Sequence, residues 1–451
     1  MSAAAAFSRR CAAFLYLIPA TGGTPKVIVK PDAARSEEGC RFPCFLPDGR
    51  RLVYLASGSS PTVKLASLDS EENRVLFTDG SAPTYASPGW LLCMRGGVPA
   101  AQAFNADTLT LSGEVIPVGA APGDEAGVAR MSVSNTGVLV LHNNRLQDYQ
   151  LNWFDRSGKQ AGTLGGLVKT GTAATPELSP DGKQVVVQRI DLPTRNSDLW
   201  LIDVAKDTLT RLTTGPTFEQ TPVWSADGSR VFYSSGGGAR GPGGIYEISA
   251  TGGEEKLLLE RFGFPRAASP DGKSLIFTQR GEKTRLDIWM LPLAGGGQPF
   301  PILNSEFEET QPAISPDGRI LAYVSDVAGR FDVFVRPMTP EGKVGKEIRI
   351  STQGGAQPRW KGDSKELYYV AGLTSSSDGE MMAVRVKEDT TGLDFEPATS
   401  LFKTHMLPNR FASDYVVTAD GSRFLVGTLV GETRSPSVTI MMNWTGALEK
   451  H

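Results

Sequence analysis

The sequence contains no apolar run of about 18 residues, the length that a transmembrane helix requires. It also contains no block of basic residues, and its formal net charge is −3. A nucleic-acid-binding surface needs clustered lysine and arginine, so this pattern argues against a nucleic-acid partner. With 40% hydrophobic and 21% charged residues, the 451-residue chain has the composition of a folded protein of one large or two ordinary domains.

Cysteine is scarce and unevenly placed. The four cysteines, Cys11, Cys40, Cys44 and Cys93, lie in the first quarter of the chain, so they cannot cross-link the remainder and do not indicate a compartment. Cys40 and Cys44 have no second pair and no neighbouring histidine. A structural zinc ion needs four ligands, so we predict no metal site and expect two small thiols beside strands.

Histidine is scarcer still, and the three residues are His142, His405 and His451. No Gly-x-Ser-x-Gly elbow accompanies them, so we predict no hydrolase triad and expect His142 and His405 at the surface or at sheet edges. The run GGGARG from Gly236 matches the letters of a dinucleotide-binding loop. That loop must open a helix, whereas in this chain a second Gly-rich stretch and a strand-like sequence follow. We predict a loop and no cofactor.

Glycine and proline, by contrast, are abundant, with 50 and 30 residues spread along the chain. They mark an internal repeat whose clearest copies are LSPDGKQVVV from Leu178, WSADGSRVFY from Trp224, ASPDGKSLIF from Ala268 and ISPDGRILAY from Ile314. Further copies begin at Phe45 and Thr418, and degenerate ones lie near Pro88, Gly137 and Asp363. Together they make nine units with a period of about 45 residues.

Each unit predicts four short strands. A proline precedes the first strand, and a Ser-Pro-Asp-Gly turn follows it, in which aspartate bonds the backbone two residues on and glycine takes the left-handed conformation. An alternating β-rich segment comes next, then a third strand such as DLWLIDV from Asp198, and a fourth that ends as at Arg211–Thr213. Four strands in about 45 residues are typical of a propeller blade, so we predict an all-β propeller of four-stranded blades.

Ring closure suggests how the blades are grouped. The last unit has strands at Asp414–Val417, Arg423–Thr428 and Ser437–Trp444 and lacks a fourth, which the segment from Tyr149 could supply. This predicts a six-bladed ring over residues 149–451, preceded by a partial propeller of about three blades and an opening hairpin over 15–148, with an N-terminal extension at 1–14. A single ring of eight or nine blades is the alternative.

The stretch LYLIPATGGTPKVIV, from Leu15 to Val29, follows two arginines and a short apolar run, as in a secretory signal peptide. However, IYEISATGGEEKLLL from Ile245 repeats its Tyr, Ile, ATGG and Lys in the same positions. Two short strands joined by a Gly-rich turn account for both copies. A signal peptide would have no reason to copy an internal hairpin, so we predict a structural hairpin.

The Ser-Pro-Asp-Gly turns and the Asp-Leu-Trp or Asp-Ile-Trp third strands resemble those of TolB-like (WD40-like) propellers. Stretches from Met94, Leu151 (LNWFDRSGK) and Ile350 (ISTQGGAQPRWKGDSKELYYVAG) further resemble the C-terminal propeller region of bacterial membrane-bound Ser/Thr protein kinases. The resemblance implies a detached sensor part and a periplasmic or extracytoplasmic location. The kinase motifs themselves have no counterpart in this sequence.

The loops that enter the first strands carry the candidate binding residues. FEQTP from Phe218, FGFPR from Phe262, FEETQP from Phe307 and GGAQPRW from Gly354 are expected at one mouth of the central channel, because innermost strands line it. We predict a channel-mouth site composed of Phe218, Glu219, Gln220, Phe307, Glu308, Glu309, Gln357 and Arg359. The alternative is that these residues pack neighbouring blades.

An acidic and aromatic mouth would prefer a peptide or protein segment of basic or amide character. Arg359 could instead pair with Glu308 or Glu309 across the channel. We therefore predict a non-enzymatic sensor or scaffold that binds a protein or peptide partner. The alternative is the propeller of a peptidase- or lyase-type enzyme, which a convergent histidine or metal cluster in the channel would favour; the sequence offers none.

Overall fold

A computed structural model describes residues 4–9, 12–32, 35, 37–58, 62–95, 98–118, 130–134, 136–142, 147–170, 175–191, 196–215, 217–236, 243–280, 286–294, 296–372, 379–389, 392–404, 406, 413–430 and 438–450. A 3-10 helix spans Trp444–Lys450, and the described residues contain no α-helix. No helix in this part of the chain has the length and apolar character needed to cross a membrane. The prediction of an all-β fold is confirmed.

The strands are numbered in chain order. The first thirteen are β1 (Ala4–Arg9), β2 (Ala12–Pro19), β3 (Lys26–Val29), β4 (Glu37–Phe45), β5 (Arg51–Gly58), β6 (Thr62–Ser67), β7 (Asn73–Thr78), β8 (Gly80–Ala86), β9 (Trp90–Arg95), β10 (Val98–Asn105), β11 (Thr110–Pro117), β12 (Arg130–Val133) and β13 (Val138–His142). The next thirteen are β14 (Gln147–Asp155), β15 (Gln160–Thr170), β16 (Glu177–Leu178), β17 (Gln184–Asp191), β18 (Asn196–Asp203), β19 (Thr208–Arg211), β20 (Phe218–Trp224), β21 (Arg230–Gly236), β22 (Gly244–Ser249), β23 (Lys256–Leu259), β24 (Phe264–Ala268), β25 (Ser274–Gln279) and β26 (Asp287–Pro292). The last thirteen are β27 (Phe300–Leu303), β28 (Glu309–Ile314), β29 (Ile320–Ser325), β30 (Asp332–Pro337), β31 (Ile348–Arg349), β32 (Ala356–Trp360), β33 (Glu366–Ala371), β34 (Glu380–Asp389), β35 (Gly392–Phe395), β36 (Thr399–Lys403), β37 (Tyr415–Val417), β38 (Arg423–Leu429) and β39 (Val438–Met442).

The chain divides into two compact units. Unit 1 comprises Met1–Leu146 and Arg434–His451, and unit 2 comprises Gln147–Thr433. The sheets of unit 1 are β1-β2-β3, β4-β5-β6-β7, β11-β10-β9-β8 and β12-β13-β39. Each packs on the next through a buried cluster, the last of which joins Leu92 to Leu139 and Trp444.

The opening hairpin forms as predicted, with the register of its internal copy. Leu15 pairs with Val29 and Tyr16 with Val27, with a bulge between the two pairs. At the corresponding positions, Ile245 pairs with Leu259 and Tyr246 with Leu257, again with a bulge. Strand β2 begins at Ala12, three residues before the predicted hairpin start.

Unit 2 is built from antiparallel sheets of the blade type. They are β15-β14-β38-β37, β16-β17-β18-β19, β20-β21-β22-β23, β24-β25-β26-β27, β28-β29-β30-β31 and β32-β33-β34 with β35 and β36 beside β34. One parallel bridge, from Ser197 to Phe218, joins the second sheet to the third. A succession of small four-stranded antiparallel sheets is the architecture of a β-propeller.

The packing of these sheets returns to its starting point. From the β16–β19 sheet onward, each sheet packs on the next through apolar clusters. Tyr368 of the β32–β36 sheet then meets Phe424 of β38, with ring centroids 5.1 Å apart. Strand β38 belongs to the sheet β15-β14-β38-β37, and Leu151 on β14 of this sheet packs with Val185 of β17. Every sheet of unit 2 therefore buries both faces, as a repeat array must in order to be stable.

The sheet that closes this cycle differs from the expectation in one strand. The segment from Tyr149 does join the C-terminal strands, because β14 pairs with β38 from Tyr149↔Leu429 to Asp155↔Arg423. Strand β39, expected beside it, instead pairs with β13, from Val138↔Met442 to His142↔Val438. In the sheet β15-β14-β38-β37, β14 occupies the position beside β38 that was expected for β39. Residues 434–451 therefore belong to unit 1 and not to the predicted ring of residues 149–451.

The predicted Asp-Gly turns are confirmed. In five of them, a serine or threonine hydroxyl donates to the aspartate, and the aspartate accepts from the backbone N–H two residues on. The glycine that follows has a positive φ. The clearest cases are Asp181 with Gly182, Asp227 with Gly228, Asp271 with Gly272, Asp317 with Gly318 and Asp420 with Gly421.

Candidate functional site

Three first strands of unit 2, β20, β28 and β32, share a bulge at their proline. The residue before the proline has a positive φ, 52° at Thr221, 48° at Gln311 and 58° at Gln357. The strand register shifts at the same place in all three sheets. An L-residue rarely adopts this conformation, and a bulge redirects the side chains around it. The bulges therefore determine which side chains of these first strands face the space between the sheets.

Two of the bulge residues tie neighbouring sheets together. The backbone N–H of Gln357 donates to Gln311 Oε1 at 2.8 Å, and the backbone N–H of Asp414 donates to Gln357 Oε1 at 2.8 Å. The Tyr415 hydroxyl donates to the Gln357 carbonyl at 2.9 Å. These groups are buried, so each side-chain amide satisfies a backbone donor of the next sheet that water does not reach.

The first strands surround a small cavity of about 20 Å³. Strands β16, β20, β24, β28 and β32 and the segment before β37 line it, and apart from one valine the residues are hydroxyl, amide, proline and charged residues. The lining consists of Thr175, Glu177, Thr221, Pro222, Val223, Pro265, Arg266, Gln311, Pro312, Pro358, Arg359 and Ser413. We call this cavity the channel of unit 2.

Three charged side chains meet in the channel although they come from three different sheets. Arg359 Nη1 donates to Glu177 Oε2 at 3.0 Å, and Nη2 donates to the other carboxylate oxygen. The Arg359 and Glu177 side chains are 18% and 19% exposed. Arg266 lines the same cavity, beside both. The described part of this cluster therefore contains two guanidinium groups and one carboxyl group.

The pKa values in the cluster follow from burial and from these neighbours. Burial and the charge of Arg359 lower the pKa of Arg266 to about 10, against the opposing effect of Glu177. Burial also acts to lower the pKa of Arg359, but the carboxylate of Glu177 outweighs it and the pKa is raised. Both guanidinium groups are therefore charged at neutral pH. Burial raises the pKa of Glu177, although Arg359 and Arg266 act to lower it.

Aromatic side chains lie where strand β24 begins. Phe262 is 42% exposed and meets Phe264 edge to face, with ring centroids 5.0 Å apart. The Arg266 guanidinium carbon lies 5.6 Å from the centroid of the Phe264 ring. A Cβ placed on Gly236 would lie 3.9 Å from both Phe262 and Phe218, so these two side chains flank the same point. The FGFPR segment thus connects an exposed aromatic group to the channel.

The predicted glutamates of the mouth are buried. Glu219 is 0% exposed and accepts a hydrogen bond from Thr217 Oγ1. Glu309 is 4% exposed and accepts one from Ser305 Oγ. Burial raises the pKa of Glu219 to about 8 and that of Glu309 to about 7, and a neighbouring aspartate adds to each shift. These carboxyl groups lie three residues before the proline, inside the packed sheets. This position is the one expected under the alternative that these residues pack neighbouring blades.

The other predicted residues are divided between interior and channel. Glu308 and Gln357 are buried, whereas Phe218, Gln220 and Phe307 are half-buried. Arg359 pairs with Glu177 and not with Glu308 or Glu309, which the sequence had suggested as partners. The structure therefore does not bring the eight predicted residues together in one exposed surface, and a binding role for them remains a prediction.

Sequence reasoning missed Glu177 and did not single out Arg266. Both follow the proline of their first strand immediately, at Pro176 and Pro265, and so does Arg359 after Pro358. A charged residue immediately after the proline in these three segments was the available signal. The predictions for the histidines and for the Gly236 loop fall on the His142 side chain, His405, His451 and residues 237–242, which lie outside the described residues.

Fold and site together define a β-propeller with a charged channel. No protein-family model matches the chain. A curated relative, the uncharacterized peptidase YuxL of Bacillus subtilis (strain 168), is 27% identical over 135 residues, which are 29% of this chain and 19% of that protein. The match thus spans about a fifth of that relative's length.

Solved structures similar to this chain are propeller-containing proteins. A TolB-type protein from Agrobacterium tumefaciens aligns with a TM-score of 0.48 and 19% identity over 63% of this chain and 99% of its own. TolB from Acinetobacter baumannii aligns at 0.43 and 13% over 79% and 80%. The tricorn protease aligns at 0.38 and 13% over 94% of this chain and 46% of its own.

Proposed function

We propose that the protein is a non-enzymatic binding propeller and that a segment of a protein or peptide partner enters the channel of unit 2. The observation that carries this proposal is the path of the chain at the start of β24. Phe262 is exposed there, and Arg266, four residues later, lines the channel. An exposed aromatic group beside a polar cavity is the pattern of a binding anchor.

The state of the channel carboxylate supports binding over catalysis. Of the described residues that line the channel, Glu177 is the one carboxylate, and Arg359 engages both of its oxygens. A general base has to accept a proton from the substrate, which an ion-paired carboxylate does poorly. The kinase resemblance adds a sensor or scaffold role for such a module. We further propose that the six sheets of unit 2 are the six predicted blades.

The test uses the full chain and a random peptide library displayed on phage. Selected peptides are titrated by calorimetry against the wild type, Phe262→Ser and Leu257→Ser. Leu257 is a matched control because it is 40% exposed and lies on β23. Loss of an aromatic anchor should weaken binding about tenfold, while the control should bind like the wild type.

Two results would contradict the proposal. Equal weakening by both substitutions would mean that the peptides do not use this strand start. Cleavage of a bound peptide, seen by mass spectrometry and abolished by Glu177→Gln, would show that the channel is catalytic.

A further inference from the structure

Strand β39 is the outermost strand of the sheet β12-β13-β39 in unit 1. It pairs with β13 along one edge, from Val138↔Met442 to His142↔Val438. Within the part of the chain that the structure describes, no strand pairs with its other edge. An uncovered edge presents a row of backbone N–H and C=O groups to which a further strand can bind.

The corresponding edge is covered in seven other sheets of the protein. In each of them the third strand pairs antiparallel with a further strand, as in β6 with β7, β10 with β11, β18 with β19, β22 with β23, β26 with β27, β30 with β31 and β34 with β36. Strand β39 is the third strand of its own sheet. The element that fits its uncovered edge is therefore an antiparallel strand.

The side chains of β39 favour such pairing. Val438, Ile440 and Met442 are 53%, 62% and 72% exposed, whereas Met441 packs on the buried cluster that includes Leu139. Because alternate side chains of a strand point to opposite faces, the three exposed residues form one apolar row. Natural edge strands usually carry a charge or a proline that discourages pairing with another chain, and the five residues of β39 include neither.

We propose that β39 is a self-association surface, at which two copies of this chain pair their uncovered edges antiparallel across a twofold axis. A twofold axis lets the same patch serve both copies and makes the two strands antiparallel. Full overlap of the five-residue strand places Ile440 opposite Ile440 of the second copy and Val438 opposite its Met442. Every opposing pair of the exposed row is then apolar, and no like charges meet. The strand thus matches itself, which favours a second copy over an unrelated segment.

The contact between the two copies is small. Five residues of strand on each side are far fewer than the ~20–30 residues of a standard interface. We therefore expect a weak dimer with a Kd of about 10 to 100 μM. This surface belongs to unit 1 and is independent of the peptide binding proposed for unit 2.

The first experiment measures molecular mass against concentration. Sedimentation equilibrium of the full chain from about 2 to about 200 μM, a range that brackets the expected Kd, should show a monomer converting to a dimer. Ile440→Lys should stay monomeric throughout, because it places two like charges opposite each other at the axis. Leu167→Lys is the control, since Leu167 is 50% exposed on β15, the outermost strand of another sheet; it should dimerise like the wild type.

The second experiment determines the register and does not depend on the lysine variant being folded. In an antiparallel pair, opposite Cα atoms are about 4.5 to 5.5 Å apart, a distance that a disulfide can span. Ile440→Cys should therefore give a disulfide-linked dimer under mild oxidation, and so should a mixture of Val438→Cys with Met442→Cys. Each of these last two alone should give none, because equal residues would lie about 13 Å apart along the strand. The wild type, whose Cys40 and Cys93 are buried, is the blank.

Three results would overturn the proposal. A wild type that stays monomeric at every concentration would exclude a second copy at this edge. Equal dimerisation of Ile440→Lys and the wild type would place the contact between copies elsewhere. A dimer that forms no cross-link through Ile440→Cys, or that cross-links through Met442→Cys alone, would show that the two strands do not pair as proposed.

Discussion

Two sets of repeated carboxyl groups in unit 2 have opposite environments. In the turns, Asp227 accepts hydrogen bonds from Ser225 Oγ at 2.6 Å and from the Ser229 N–H at 3.0 Å, and these bonds hold its pKa well below the usual value. On the first strand of the same sheet, Glu219 is buried, and burial raises its pKa to about 8.

The difference lies in where the partners of each carboxyl group come from. Every hydrogen-bond donor to Asp227 is within two residues of it in the chain. Glu219 also has a nearby donor, Thr217, but burial in the packed sheets and the charge of Asp198, a residue of the preceding sheet, outweigh this hydrogen bond and raise its pKa. Turn chemistry is therefore local, and the chemistry of the first strands belongs to the junctions between sheets. Four substitutions and one pH profile test this contrast, from the largest expected effect to the smallest.

Gln357→Ala should lower the free energy of unfolding by about 3 kcal/mol, because it leaves the buried N–H of Asp414 without an acceptor and removes packed atoms. Chemical denaturation measures the change. Gln353→Ala is the control at an exposed glutamine nearby, and it should change stability by less than about 0.5 kcal/mol. Similar effects of the two substitutions would show that the link between sheets contributes nothing.

Gly228→Val should destabilise by about 2 kcal/mol, because a β-branched residue tolerates a φ of 70° poorly. A Cβ at this position would also lie 3.4 Å from Pro180 Cδ. Gly228→Asn is the matched control, since asparagine accepts the left-handed conformation more readily. Thermal melts in which valine and asparagine behave alike would contradict the local account of the turn.

The buried glutamates should make the protein less stable as the pH rises. Their pKa values in the folded state, about 8 for Glu219 and about 7 for Glu309, exceed the ordinary value of 4.5. Folding therefore favours the protonated forms, and this stability is complete below pH 4.5 and is lost as the pH rises through 7 and 8. Melting temperatures measured from about pH 5 to about pH 9 should fall, and the fall should be smaller in Glu219→Gln. A Glu219→Gln profile parallel to that of the wild type would refute this prediction.

Asp227→Ala should have the smallest effect, a lower melting temperature at neutral pH but less so than in Gly228→Val. Its pKa is depressed from 3.8, so the stability it contributes is present above that pH and is lost as the pH falls further. The substitution should make the acid limb of the stability profile shallower and leave the alkaline limb unchanged. If Asp227→Ala changed stability only at alkaline pH, the proposed contrast between the turn aspartates and the buried glutamates would be wrong.

The hairpin at Leu15–Val29 shows how far sequence comparison reaches. Its register and bulge match those of the copy at Ile245–Leu259, because both are set by a turn and by side chains at most fourteen residues apart. The partner of β39 was not predictable in this way. The stretch has the sequence pattern of a strand, but its partner depends on which strand edge is available. Strand β14 pairs with the edge of β38, and β39 pairs with β13.

The site shows the same limit. The prolines were expected before the first strands, but Pro222, Pro312 and Pro358 lie inside β20, β28 and β32. The bulge at Thr221, Gln311 and Gln357 was not foreseen, because a positive φ at threonine or glutamine has no local cause. Without the bulge, the residues before the proline were expected to face the mouth. In the structure, Glu219 is buried, and Arg359, two residues after the bulge residue Gln357, lines the channel.

The sequence by itself determined the all-β class, the blade period, the Asp-Gly turns and the opening hairpin. Each of these depends on backbone preferences and hydrogen bonds among residues close together in the chain. Only the tertiary structure decided the packing cycle of unit 2, the return of β39 to unit 1 and the charge of the channel. Arg359 and Glu177 are 182 residues apart in sequence, and only the cycle of sheets brings their side chains within hydrogen-bonding distance.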